Sequence, residues 1–208
     1  MIVTAVEELG RSRSKIMIDG EFAFVLYKGE LRLYHIREGE ELDRRDYDAI
    51  LTEVLPRRAR LWAMNLLTRR EYTEKQLRDK LREGYYPEKV IEEALGYVAG
   101  FHYTDDLRYA VTYITDHESS RSRRRIEQDL LGKGISRETL ERAWAEWEDK
   151  GGSQDEGAMI RALLAKRSYD PDTADRKEQQ RTYAFLMRKG FSGEAVRRAL
   201  RADGWDEE

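Results

Sequence analysis

One phrase is written three times along this chain. Residues 81–95, "LREGYYPEKVIEEAL", 130–144, "LLGKGISRETLERAW", and 186–200, "LMRKGFSGEAVRRAL", share a register. Leu81, Leu130 and Leu186 are followed five residues on by Tyr86, Ile135 and Phe191, and ten on by Ile91, Leu140 and Val196. Ala94, Ala143 and Ala199 come next, then Leu95, Trp144 and Leu200. The phrase reads as a helix, a tight turn and a second helix. Gly134 and Gly190 suit the left-handed position just past a helix end, where a Cβ is penalised. Ser136 and Ser192 then cap the following helix by accepting a backbone N–H. In the first copy the glycine, Gly84, comes one place early and Tyr85 stands where the others have glycine; that turn is expected to differ slightly. Five apolar positions in register, three times, mark a tandem array.

Each copy has a helix before it. Trp62, Ala63, Leu66 and Leu67 make an apolar stripe over about 57–70, and Thr73 with Gln76 has capping-box form at the start of the next helix. In the second unit Thr104 or Asp105 caps a helix bearing Leu107, Ala110, Val111 and Ile114; Ile126 and Leu130 mark the next, and Leu140, Ala143, Trp144 and Trp147 line the last. The third unit has a helix around 159–164, a long loop through "SYDPDTAD", a helix ending near Arg188 and a final one over 196–200. The stretch "DKGGSQD" is a linker by composition.

Upstream the periodicity changes. In "SKIMIDGEFAFVL" (14–26) Ile16, Ile18, Phe22 and Phe24 alternate with other residues about Asp19-Gly20, a hairpin with a type I′ turn. A lone hairpin is marginal, so "IVTAVEEL" is expected as a third strand, or a helix as its support. Residues 30–41 fit either a strand or a short helix. From Asp43, Tyr47, Ile50, Leu51 and Val54 follow helical spacing, and Pro56 is expected to stop the run. The fold class is therefore mainly α: three three-helix repeats at 57–103, 104–150 and 151–208 behind a β-hairpin and helix extension at 1–56. Repeats that stack on neighbours, each two helix diameters across, predict a curved rod about 60–70 Å long.

Such an architecture offers a long surface rather than a catalytic cleft, and the motifs agree. Phosphate-binding, dinucleotide and nucleophile-elbow signatures are missing. Cysteine is absent, which removes disulfides and thiol catalysis. His102 and His117 bracket Asp105, Asp106 and Asp116, but helical phase assigns Asp105 and Asp106 to capping, so no metal, cofactor or catalytic residue is expected. No apolar run is long enough to span a bilayer, and the first residues lack a secretory pattern; a cytoplasmic protein is the expectation. Trp62, Trp144 and Trp147 fall on apolar stripes and are assigned to the core, while Tyr85, Tyr86, Tyr109 and Tyr113 are left open.

Net charge is −3, from 38 Lys+Arg against 41 Asp+Glu, so bulk electrostatics drive no particular association. Local clusters carry the functional signal. Arginines gather at 11–15, 56–60, 121–125 and 197–201. In "SSRSRRR" (119–125) a loop enters a helix, where guanidinium groups and free N–H groups together can hold phosphates or carboxylates. A solvated basic loop is the competing account of the same residues.

Three stretches carry a family resemblance: "LLTRREYTEKQLRDKL" (66–81), "GFHYTDDLRYA" (100–110) and "LLGKGISRETLERAW" (130–144). Together they resemble the bacterial RecX regulatory proteins, over about residues 57–200. The resemblance implies a non-enzymatic modulator that lies in the groove of the RecA–single-stranded DNA filament and depresses its ATPase, strand exchange and co-protease activities. A monomer without membrane association is expected. The candidate contacts are Arg69, Arg70, Lys75 and Arg78 in the first repeat and Arg121, Arg123, Arg124, Arg125 and Lys133 in the second. Arg197, Arg198 and Arg201 are weaker candidates in the third. The same cations support a second reading, a direct DNA-binding module whose affinity falls steeply with salt.

Overall fold

The computed structural model describes residues 1–200 and divides the chain into two compact units, Met1–Asp105 and the part from Asp106 onward. The first unit opens with an antiparallel sheet of order β1 (Val3–Leu9), β2 (Arg13–Ile18), β3 (Glu21–Tyr27). Both expectations for this region hold. Asp19 and Gly20 take positive φ (51° and 88°), as a type I′ turn requires, and the preceding segment supplies the third strand. Asp19 Oδ1 accepts from the Ile2 amide at 2.9 Å, which ties the turn to that strand. The alternation fails at one place. Ile16 pairs with Phe24 but Met17 with Phe22, so Ala23 is an extra residue in β3. The bulge turns Phe22 outward (45% exposed) while Phe24 stays in the core.

Of the two alternatives for residues 30–41, the short helix forms and the strand does not. Helix α1 (Lys28–Leu33) comes first, and Glu41 then makes an isolated antiparallel bridge to Ile2. Pro56, however, does not stop the next helix. α2 (Arg44–Ala49), a π-helical turn (Ile50–Val54) and α3 (Leu55–Leu67) follow without a break, with Asp43 accepting from the Arg45 amide at the start. The Leu55 amide reaches back five residues to the Ile50 carbonyl. This widened turn makes room for a ring that would clash with the carbonyl four residues back in a regular helix.

α4 (Glu74–Glu83) and α5 (Glu88–Gly100) complete the first repeat. The Thr73 capping box forms in both directions: Thr73 Oγ1 accepts from the Gln76 amide at 3.2 Å and Gln76 Oε1 from the Thr73 amide at 3.3 Å. One core joins sheet and helices, with Ile16, Phe24 and Leu26 against Ile50, Leu55, Ala59, Leu77, Leu81, Ile91 and Ala94. The turn after α4 corrects the expectation of an altered geometry. Tyr85 itself takes the left-handed conformation (φ 63°), and Tyr86 N–H reaches the Leu81 carbonyl as Ile135 N–H reaches Leu130. A non-glycine residue there costs about 1–2 kcal/mol; Phe22, edge-on at 6.4 Å, and Lys15, 5.2 Å above the ring, hold it. Gly84 is needed for space, since a Cβ would lie 2.3 Å from the Trp62 ring. Trp62 is half-buried against this core.

The second unit carries two bundles with separate cores. α6 (Asp106–His117), α7 (Arg123–Gly132) and α8 (Arg137–Asp149) bury Ala110, Ile114, Ile126, Leu130, Ile135, Leu140, Ala143, Trp144 and Trp147. α9 (Glu156–Lys166), α10 (Arg176–Arg188) and α11 (Gly193–Leu200) bury Ile160, Leu186, Phe191 and Val196. Gly134 and Gly190 have φ 93° and 88°, and Ser136 and Ser192 accept from the Thr139 and Ala195 amides, as the phrase predicts. The linker is fastened rather than loose. Gln154 Nε2 donates to the Glu118 and Arg121 carbonyls, and Gly152 lies so close to the Trp147 ring that a Cβ would sit 2.3 Å away.

Candidate partner-binding surface

The candidate cations of the first unit lie at the end of α3 and along α4. Arg69 and Arg70 are exposed, and Arg70 stacks 4.2 Å from the Tyr72 ring centre. Lys75 pairs with Asp79 one turn on, at 3.4 Å. Arg78 sits in an acidic cage: Glu74 from its own helix and Glu88 and Glu92 from α5 all bind its guanidinium. Those hydrogen bonds raise the Arg78 pKa further above its ordinary range. They also lower both α5 carboxylates, Glu88 through Arg82 first and Arg78 second, Glu92 through Arg78. Arg82 also binds Glu88, at 2.9 Å, so two guanidinium groups stand among three carboxylates and the spot is net negative.

The turn between α6 and α7 is arranged differently. Arg121 Nη1 donates to Asp129 Oδ2 at 2.6 Å and to the Tyr113 hydroxyl at 2.6 Å, while Tyr113 donates to the same carboxylate oxygen at 3.3 Å. Arg125 Nη2 reaches Asp129 Oδ1 at 2.9 Å. Two guanidinium groups thus share one carboxylate, and the balance is positive. Burial pushes the Tyr113 hydroxyl pKa up, with Asp129 adding to the rise and Arg121 opposing it. Lys133 lies 5.3 Å from the Tyr113 ring centre on the same face. Arg123 pairs with Glu127 and Glu148 and stacks on Trp144 at 4.4 Å. Arg124 is exposed.

Two of the N–H groups at this helix start already have partners. Ser122 Oγ accepts from the Arg125 amide, and the Ser122 amide donates to the Lys189 carbonyl of the following bundle at 3.1 Å. Gly190 presses against the same corner, where a Cβ would come within 2.5 Å of both Arg125 Cβ and Ser122 Oγ. In the third repeat Arg198 pairs with Glu194 at 2.7 Å and Arg197 lies beside Gly193; Arg201 lies outside the described residues.

Two clusters escaped sequence reasoning. Arg58, inside the noted 56–60 run, donates to Glu30 at 2.7 Å, to the Val25 carbonyl at 2.6 Å and to the Tyr86 hydroxyl at 3.2 Å, between the Tyr27 and Tyr86 rings. It joins sheet to bundle, and a groove of about 430 Å³ beside it is lined by Arg13, Leu61, Trp62 and Asn65. The second cluster is a ladder on α6. Tyr109, Tyr113 and His117 follow one another at four-residue steps, with ring planes 13° and 16° apart. Their i, i+4, i+8 spacing is the sequence signal that reveals them. His117 also places Nδ1 2.9 Å from the Tyr113 carbonyl. Among the described residues no three His, Cys, Asp or Glu side chains converge as metal donors.

Family models match three segments: "RecX, first three-helix domain" at 59–97, the second at 105–143 and the third at 154–200. The curated protein "Regulatory protein RecX" of Caldanaerobacter subterraneus subsp. tengcongensis is 29% identical over 96% of this chain and 98% of its own length. That of Clostridioides difficile is 27% identical over 96% and 94%. A solved structure titled "Crystal structure of regulatory protein RecX" superposes with a TM-score of 0.57 at 25% identity, covering 95% of this chain and 98% of that one. A second, RecX from Lactobacillus salivarius, has a TM-score of 0.53 at 23% identity over 71% and 95%, and bears on the fold alone.

Proposed function

Because the chain belongs to the RecX family of regulatory proteins, we propose that it is a non-enzymatic regulator of the RecA recombinase. It binds the filament that RecA forms on single-stranded DNA, within the filament groove, and lowers its ATPase, strand-exchange and co-protease activities. The observation that carries this reading is the coincidence of the three family segments with the three repeats found independently from residue spacing. Repeated units allow several weak contacts to act together through effective concentration. The contacts are assigned to the arginines and lysines of the first two repeats, with Arg197, Arg198 and Arg201 contributing less. The protein acts as a cytoplasmic monomer without cofactor or metal.

The test is direct. Added at one molecule per few recombinase subunits, the protein should slow filament ATP hydrolysis and strand exchange. Unchanged rates at saturating protein would overturn the reading. A second reading, direct DNA binding independent of the recombinase, is favoured by the positive balance at the α6–α7 turn. Affinity for bare single strands that equals affinity for filaments would select it.

A further inference from the structure

We propose that Asp129 is a positioning residue: with the Tyr113 hydroxyl it holds Arg121 and Arg125 as a preformed clamp for one phosphodiester group of a nucleic-acid strand. The Asp129 side chain is 15% exposed, against 31% for Arg121 and 43% for Arg125, so the carboxylate lies beneath and the guanidinium groups above. Each guanidinium has five N–H donors. Arg121 commits one nitrogen, Nη1, to Asp129 and Tyr113, and Arg125 commits Nη2 to Asp129. The rest of each fork remains for an incoming oxyanion, and forks of this shape match paired phosphate oxygens. The seat is rigid. Arg125 is backed by Gly190, and Arg121 is fixed at its carbonyl by Gln154 as well as at its guanidinium.

Two features point to a nucleic-acid strand rather than a protein carboxylate. The pair carries surplus positive charge over its single counter-ion, as a polyanion requires. The Tyr109–Tyr113–His117 ladder runs along the same helix face and passes through the clamp at Tyr113. Aromatic steps beside a phosphate clamp are what a single strand needs, with bases to stack and backbone to neutralise. The inference rests on the regulator reading only in taking that strand to be the one exposed in a recombinase filament.

The decisive experiment compares variants that gain the same charge. Fluorescence anisotropy would follow binding of labelled oligo(dT), and of an abasic oligonucleotide of equal length, to the full chain. Asp129→Asn makes the surface more positive but releases both arginines. A positioning role predicts about fivefold weaker binding of both probes from the lost preorganisation. Glu141→Gln, an equal charge change at an exposed α8 position, should bind as tightly as wild type or tighter. Tyr113→Phe changes no charge and should weaken binding about twofold, which keeps the test alive if Asp129→Asn melts early in a thermal scan.

Asp129→Asn binding as tightly as Glu141→Gln would reduce the cluster to a plain electrostatic patch and overturn the proposal, as would Tyr113→Phe matching wild type. Wild-type protein that ignores both probes yet slows filament ATP hydrolysis would remove the clamp and leave the regulator reading standing. The variant pattern on oligonucleotides, without any effect on filaments, would do the reverse.

Discussion

Arg78 in the first unit and Arg121 in the second are both guanidinium groups bound to carboxylates, yet their surroundings end with opposite sign. Around Arg78, α5 supplies two glutamates in addition to the one on α4, and even with Arg82 sharing Glu88 the acids outnumber the cations. Around Asp129, two arginines divide one carboxylate. The difference lies in which helix provides the acids. In the first repeat Glu88 begins α5 and Glu92 lies one turn further, both facing α4. In the second, the matching helix α8 aims Glu148 at Arg123 instead, and Asp129 comes from α7 itself. The order of basic residues along the chain offers candidates at both sites and does not show which of them have charge to spare. Counting partners separates them: one is a structural staple, the other a surface with charge to spare.

The comparison can be broken first through its support. Gly190→Ala adds a Cβ at positive φ, against Arg125 and Ser122. It should destabilise the second unit by about 2–4 kcal/mol, read by denaturant unfolding with Trp144 and Trp147 fluorescence. Gly84→Ala in the first unit meets only the Trp62 and Tyr86 side chains at an ordinary φ, and should cost less, about 1–3 kcal/mol. The reverse order would mean that the corner beneath Arg125 is not the tighter of the two.

Next come the cations themselves. Replacing Arg121 and Arg125 together by alanine should lower oligonucleotide affinity about tenfold and flatten its salt dependence by about one unit of slope. Arg78→Ala should change it less than twofold. Equal losses would mean that Arg78 has as much charge to spare as the Arg121–Arg125 pair. A smaller effect separates the two turns. Ser136→Ala removes the α8 cap and should cost about 1 kcal/mol, whereas Pro87→Ala at the matching place, which has no side-chain cap to lose, should stay below that. Thermal melting of the two variants measures it.

The smallest effect is set by pH. Glu88 and Glu92 have lowered pKa values in the folded chain, so they bind fewer protons folded than unfolded in this range. Their stabilisation is present above the ordinary value of 4.5 and is lost as pH falls through the lowered values. An acid titration of the melting temperature should therefore show wild type and Arg78→Met converging below pH 4.5. A constant gap down to low pH would mean that the cage contributes nothing through its charges.

Sequence reasoning reached what is periodic and local. The five repeated apolar positions, the Thr73 box, the Ser136 and Ser192 caps and the Asp19-Gly20 turn all follow from neighbours a few residues apart, and each is found as expected. It failed where a distant group decides. Nothing near Pro56 announces the π turn that absorbs it, and Tyr85 accepts a glycine's conformation because Phe22 and Lys15, some sixty and seventy residues earlier, pack on it. The arginine clusters were visible as composition. Their division into staple and clamp was not, because Arg78 meets acids 10 and 14 residues away and Arg121 meets Asp129 across a turn.

The helical run from Arg44 to Leu67 starts beside the small sheet and continues into the first bundle, and sheet and helices share one hydrophobic core. Excising the first 56 residues would amputate about three turns of that helix and remove Ile16, Phe24, Leu26, Ile50 and Leu55 from the core that also holds Leu81 and Ile91. Anyone assembling shortened or shuffled arrays from these repeats should move the first one only together with its β-cap.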